Sequence, residues 1–204
     1  MQQNPVEVSI LSDEKTIISP VESAVSYLIT VPLQIWCIFW LLRRRKIDLS
    51  KNLGLYHFNR NALIYSLVAY LILYLVLTAY SYAFQISPPE EFIKLMQATP
   101  FVLNFLMVVI GAPIVEELLF RGFLFSQLKT TKLGINGSII LTSLIWTSIH
   151  LQYDLFLLIP IFLIGLLLGY LMHKYNSLYL VIIVHAVHNL QATLFIEFFY
   201  DYFY

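Results

Sequence analysis

Charge is scarce in this chain. Only 12% of its 204 residues are Asp, Glu, Lys or Arg, about half the share usual in soluble proteins. Its 12 basic and 12 acidic residues cancel, so no basic field is present to draw a nucleic acid. Cysteine is nearly missing as well. Cys37 is the only one, which excludes a disulfide framework and a thiolate metal cluster. Internal repeats and low-complexity tracts are absent. What fills the chain instead is apolar: 59% of residues are hydrophobic and the mean hydropathy is +0.77. A soluble domain of this length would need far more polar surface, so the composition implies an all-α, polytopic membrane protein.

The first 22 residues are polar, with Glu7, Asp13, Glu14 and Lys15. They lack the basic start and short apolar core of a signal peptide, and are read as an exposed tail or an interfacial segment. Residues 23–204 are read as one transmembrane domain. A spanning helix needs about 20 mostly apolar residues, and six stretches qualify. They run from about Ser23 to Leu42, Ala62 to Ile86, Pro100 onward, Ile135 to Leu151, Leu155 to Met172, and Leu178 to Phe198. The fourth is the most diluted, by Thr142, Ser143, Thr147, Ser148 and His150. Such small and hydroxylated residues suit a helix packed inside a bundle. Ser87 to Thr99, with Pro88, Pro89, Glu90, Glu91 and Lys94, reads as a polar turn and a short interfacial helix.

Basic residues sort between the connections. Arg43, Arg44, Arg45, Lys46, Lys51 and Arg60 follow the first span, Lys129 and Lys132 the third, and Lys174 the fifth. The opposite side holds only Lys15 and Lys94. The positive-inside rule then predicts those loops in the cytoplasm and both termini outside. His57 and His173 fall in these loops and are expected to be solvated. The closing aromatics Phe198 to Tyr204 fit an interfacial belt.

Against this background, Glu116, Glu117 and Arg121 stand out. They break the apolar run Ile110 to Leu124. A bare charge at a bilayer centre costs roughly 2.5–3.5 kcal/mol on insertion scales, so three in six residues call for a function. Gly111 and Pro113 just before them predict a kink or loosened turn. Glu117 and Arg121 are four apart and predict a pair on one helix face. Glu116, about 100° away around the axis, is left without a local partner. Two further clusters are Trp146 to His150 and His185 to Asn189. Counting about 1.5 Å of rise per residue from the cytoplasmic ends brings Glu116, His150, His185 and Asn189 to one layer.

These residue types suit amide hydrolysis. A carboxylate among apolar helices becomes a better base and takes a proton from water. A histidine beside it orients that water. A second histidine and an asparagine amide donate hydrogen bonds to the oxyanion of a tetrahedral intermediate. No candidate nucleophile stands as neatly beside a histidine, so direct attack by water is expected.

In order along the chain, Glu116-Glu117-x-x-x-Arg121, Trp146-x-x-x-His150 and His185-x-x-x-Asn189 resemble the three motifs of the CPBP family of CAAX proteases and bacteriocin-processing enzymes, also called the Abi family. The resemblance covers about residues 100–190, the expected catalytic core. It implies an intramembrane endopeptidase acting on a membrane-associated peptide or protein. It also implies that Glu116 and His150 activate water and that His185 and Asn189 form the oxyanion site, with Glu117, Arg121 and Trp146 in support. Trp146 stands where Phe is commoner in the family. The compact length is similar to that of prokaryotic members, which implies residence in the prokaryotic cell (inner) membrane and reactions in peptide maturation, bacteriocin immunity or signalling.

No cofactor is required by this reading. Zinc is the alternative, with Glu116, His150 and His185 as three ligands, although the His-Glu-x-x-His spacing of zincins is missing. Intramembrane Glu, His and Arg also make proton relays in transporters, and an immunity or partner-binding protein would use the same residues without cleavage. Against a transporter, no inverted repeat is visible, and the polar residues cluster in the second half.

Overall fold

The computed structural model describes residues 20–44 and 48–200, and the described residues are helical with short connections. The chain runs α1 (Pro20–Arg44), α2 (Leu49–Leu53), α3 (Arg60–Ala83), α4 (Glu90–Ala98), α5 (Phe101–Leu128), α6 (Gly134–Ser148), α7 (Leu155–Tyr175) and α8 (Leu178–Phe198). All six expected spans are therefore helical. Among the described helices, α3, α5, α7 and α8 are long and apolar enough to cross a membrane alone. The short helix expected after Ser87 is α4, where an exposed Glu90–Lys94 pair holds the Lys94 ammonium above its ordinary pKa and the Glu90 carboxyl below it. Most of the polar tail at residues 1–22, Arg45, Lys46 and the end of the aromatic belt lie outside the described residues.

Local chemistry sets the helix starts. Asp48, Asn59 and Asp154 each accept a hydrogen bond from the backbone N–H three residues on, and so cap α2, α3 and α7. Gly54 ends α2 at φ 67°, and a Cβ there would sit 2.5 Å from Met172 Cε. Its carbonyl accepts from the Leu178 N–H at 2.8 Å, which ties the α2 corner to the start of α8.

The outward faces settle the environment. On α3, Tyr65, Leu71, Ile72, Leu75 and Val76 are all more than half exposed. A stripe this apolar is stable against lipid tails and a liability against water. Inside, Phe120 and Phe125 of α5 pack with Trp146, Ile164, Leu168, Met172, Val181 and Val184. Helices α6 and α7 approach closely because Gly165 and Gly169 lie on the contact. Added Cβ atoms would come within 3.1 Å of Ser143 and Trp146 and within 3.0 Å of Ile139. This is the small-xxx-small packing that lets membrane helices meet backbone to backbone.

Helix α5 is not uniform. Ala112–Glu117 is α-helical, and the stretches on either side, Phe105–Gly111 and Leu118–Leu124, are π-helical. The loosened turn expected at Gly111 and Pro113 is thus real. Proline has no N–H to continue the ladder, and the wider turn shifts bonding to the fifth residue on, as from the Ala112 N–H to the Met107 carbonyl. Such π turns often mark functional sites.

Two boundaries correct the sequence expectation. Helix α6 ends at Ser148, so His150 sits in the following turn and not on a helix. With 15 residues, α6 is only about 22 Å long, short of the roughly 30 Å hydrocarbon core. His173 lies in the last turn of α7 and not in a loop, because Asn176 delays the helix end with a left-handed cap. Both His173 and His57 are exposed, and His57 stacks on Tyr179.

Candidate active site

The polar side chains of the three motifs gather around one indole. Trp146 is 3% exposed. Its Nε1–H donates to Glu116 Oε2 at 2.5 Å. Its ring face takes the Arg121 guanidinium, with Cζ 4.9 Å from the ring centroid. His150 and His185 meet it edge-on, at centroid distances of 5.2 and 5.4 Å. Gly165 makes room for this ring, and its carbonyl accepts from Arg121 Nη2 at 3.1 Å.

The two glutamates face different surroundings, as the rotation between neighbours requires. Glu117 is fully buried and accepts from Arg121 Nη1 at 2.8 Å. The pair expected from the four-residue spacing is therefore present. The same carboxylate oxygen also binds His185 Nδ1 at 2.7 Å, a long-range partner that spacing does not reveal. Glu117 thus joins α5 to α8 as well as holding its own helix face. Glu116 is only partly buried and lines a cavity of about 480 Å³ between α1 and α5.

The histidine tautomers follow from their partners. His150 Nδ1 lies 3.0 Å from the Trp146 carbonyl, which only accepts, so Nδ1 carries the proton and Nε2 is left as an acceptor. Tyr153 stacks on the same imidazole, and burial pushes its phenol above the ordinary range. His185 donates Nδ1–H to the Glu117 carboxylate, which leaves Nε2 for chemistry.

Asn189 stands one turn beyond His185 on α8. Its Nδ2 donates to the Val108 carbonyl at 2.8 Å, inside the first π-helical stretch of α5. One amide hydrogen is thereby fixed and the other remains. His188 turns away to Tyr70 Oη at 3.2 Å, and Tyr70 in turn donates to Gln191. That places His188 in the contact between α3 and α8.

The structure thus brings Glu116, Glu117, Arg121, His150 and His185 together through Trp146, and sets Asn189 a turn away. The motifs give no hint of the α1 wall of the cavity, where Tyr27, Gln34, Cys37 and Ile38 lie. The available signal was a glutamine seven residues after a tyrosine in an otherwise apolar span, a spacing that repeats on one helix face.

A zinc site fits less well. Among the described residues, no three His, Cys, Asp or Glu side chains stand close enough together to hold a metal ion. Glu116 is engaged by the indole N–H and His185 by Glu117. Three ligands within about 2.0–2.3 Å of one ion would require these contacts to rearrange.

Residues 98–191 match the model of the Rce1-like family, described as type II CAAX prenyl endopeptidase Rce1-like. No curated protein and no solved structure matches the chain. The matched stretch runs from Ala98 at the end of α4 to Gln191 in α8 and includes every motif residue. This part of the chain is similar to the Rce1-like family, in agreement with the resemblance seen in the motifs. The family supports an intramembrane protease activity and a membrane-associated peptide substrate.

Proposed function

We propose that this protein is an intramembrane endopeptidase in which Glu116 and His150 activate water for direct attack on a peptide bond. The observation that carries this reading is the convergence of all three motifs on Trp146, with only Glu116 of the two glutamates opening onto a cavity.

Water is held between the Glu116 carboxylate and the lone pair of His150 Nε2. Glu116 removes a proton as the water oxygen bonds to the scissile carbonyl carbon, and the carbonyl oxygen becomes an oxyanion. His185, in its charged form against Glu117, and the free hydrogen of the Asn189 amide donate to that oxygen. The fixed charges then balance through the step. Before attack, Glu116 and Glu117 face Arg121 and His185; afterwards the oxyanion takes over the charge that Glu116 has lost. Collapse breaks the C–N bond, and the proton on Glu116 passes to the departing amine. Arg121 and Trp146 touch no substrate in this scheme. They hold Glu117 and Glu116 in their separate orientations. No metal takes part in any step.

A membrane peptide or protein is the substrate in this scheme, with cleavage within the bilayer of the prokaryotic cell membrane and both chain ends outside. The family description adds prenylated C-terminal peptides as one candidate class. Membrane peptides from cells expressing the wild type and the Glu116→Gln variant, compared by mass spectrometry, test the reading. Products confined to the wild type are expected. Identical peptide sets at equal protein abundance would remove the protease reading. Solute uptake in sealed vesicles would then point to a transporter.

A further inference from the structure

Helix α1 carries no motif, yet it forms one wall of the Glu116 cavity. Its contribution is mixed in a particular way. Ile38 is apolar, as are Ala112, Val115, Leu119 and Phe120 across the gap on α5. Gln34, in contrast, presents a neutral primary amide on the exposed side of a membrane helix, without a hydrogen-bond partner among the described residues. A lipid-facing position offers such an amide nothing to bond, and an unpaired polar group in hydrocarbon is costly.

Resting on the assignment of Glu116 as base, we propose that α1 is the substrate-binding wall and that Gln34 is a positioning residue clamping the backbone of an extended, apolar peptide segment. A helical substrate hides its carbonyl carbons behind its own side chains, so hydrolysis needs an unwound stretch. In the bilayer, unwinding strips N–H and C=O groups of their partners. A glutamine amide offers one acceptor and two donors and so can satisfy both groups of one peptide unit without introducing a charge. The cavity volume of about 480 Å³ falls within the roughly 300–1,000 Å³ usual for ligand sites. Its apolar lining favours apolar side chains, and the Glu116 carboxylate disfavours acidic ones beside the scissile bond.

Gly111 contributes to this wall. A Cβ there would lie 3.0 Å from Tyr27 Cε1, so glycine lets the tyrosine ring close the end of the cavity against α5. Pro32 lies inside α1 between Tyr27 and Gln34. It removes one backbone hydrogen bond and gives the helix a place to bend around an occupant.

Cys37 makes the proposal measurable, because it is the only cysteine and lines the same cavity. The experiment measures alkylation of Cys37 by N-ethylmaleimide in purified Glu116→Gln protein, as a mass shift, with and without a degenerate pool of ten-residue apolar peptides. The pool is expected to slow alkylation at least tenfold. Gln34→Leu, an apolar change on an apolar helix, should raise the peptide concentration needed for protection about tenfold. On the Glu116 background, the same change should raise KM while kcat stays within about twofold, and Gln34→Asn should restore part of the loss. Alkylation unaffected by the pool, or protection unaffected by Gln34→Leu, overturns the proposal. The two readings fail separately. Protection in Glu116→Gln alongside a wild type that cleaves nothing supports the cleft and removes the protease, whereas cleavage by the wild type without protection in Glu116→Gln removes the cleft alone.

Discussion

Glu116 and Glu117 are neighbours with different surroundings, because a helix turns about 100° between them. One oxygen of Glu117 serves both Arg121 and His185, and all three side chains are buried. Glu117→Gln is therefore expected to lower abundance and thermal stability. Breaking such a buried pair costs about 3–5 kcal/mol, and the test is detergent-solubilised yield and melting temperature. Stable, abundant Glu117→Gln protein would show that the pair does not hold α5 to α8. His185→Ala and Asn189→Ala should act on turnover, since oxyanion donors work mainly in the transition state. About 10²–10³ in kcat is expected for each, with KM changed far less. The Glu117–Arg121 pair was legible from spacing alone. The His185 bond to Glu117 and the Asn189 bond to Val108 were not, because they join residues 68 and 81 positions apart.

At the scale of the helix, the site depends on two devices. The first is the pair of π-helical stretches around Ala112–Glu117. Gly111 and Pro113 announced a loosened turn, but their spacing does not reveal that a second one follows Glu117. The second is the close approach of α7 to α6 at Gly165, which seats Trp146 and presents a carbonyl to Arg121. Gly165→Ala would force a methyl group to within 3.1 Å of both Ser143 Cβ and Trp146 Cε3. Overpacking of this kind costs about 1–3 kcal/mol. The variant should melt at lower temperature and lose activity together. A fully active variant with unchanged melting would show that α7 does not seat the indole. The end of α6 at Ser148 was the least legible boundary. The apolar residues Ile149 and Leu151 continue the hydrophobic pattern, while hydrogen bonds from the His150 and Tyr153 amides turn the backbone away.

At the scale of the molecule, composition alone identified the solvent, since scarce charge and long apolar runs leave few other settings. The apolar outer faces of α1 and α3 agree with it. Orientation rests on the basic residues after α1, α5 and α7, which predict that Tyr204 lies outside the cytoplasm. A reporter active only in the cytoplasm, fused at Tyr204, should stay silent. A strong signal there would overturn the orientation. The α1 wall of the cavity was illegible because a cavity belongs to no single segment. Tyr27 and Gln34 acquire meaning only when Glu116 stands opposite, some 80 residues later in the chain.

Glu116 is proposed as the base of a metal-independent peptide hydrolysis. Its most direct test is peptide cleavage by purified protein after chelation and dialysis, in the wild type and in Glu116→Gln, with protein abundance matched. The stripped wild type is expected to keep its turnover, and Glu116→Gln to have none. Activity lost on chelation and restored by about one zinc per chain would contradict that role and make Glu116, His150 and His185 ligands instead.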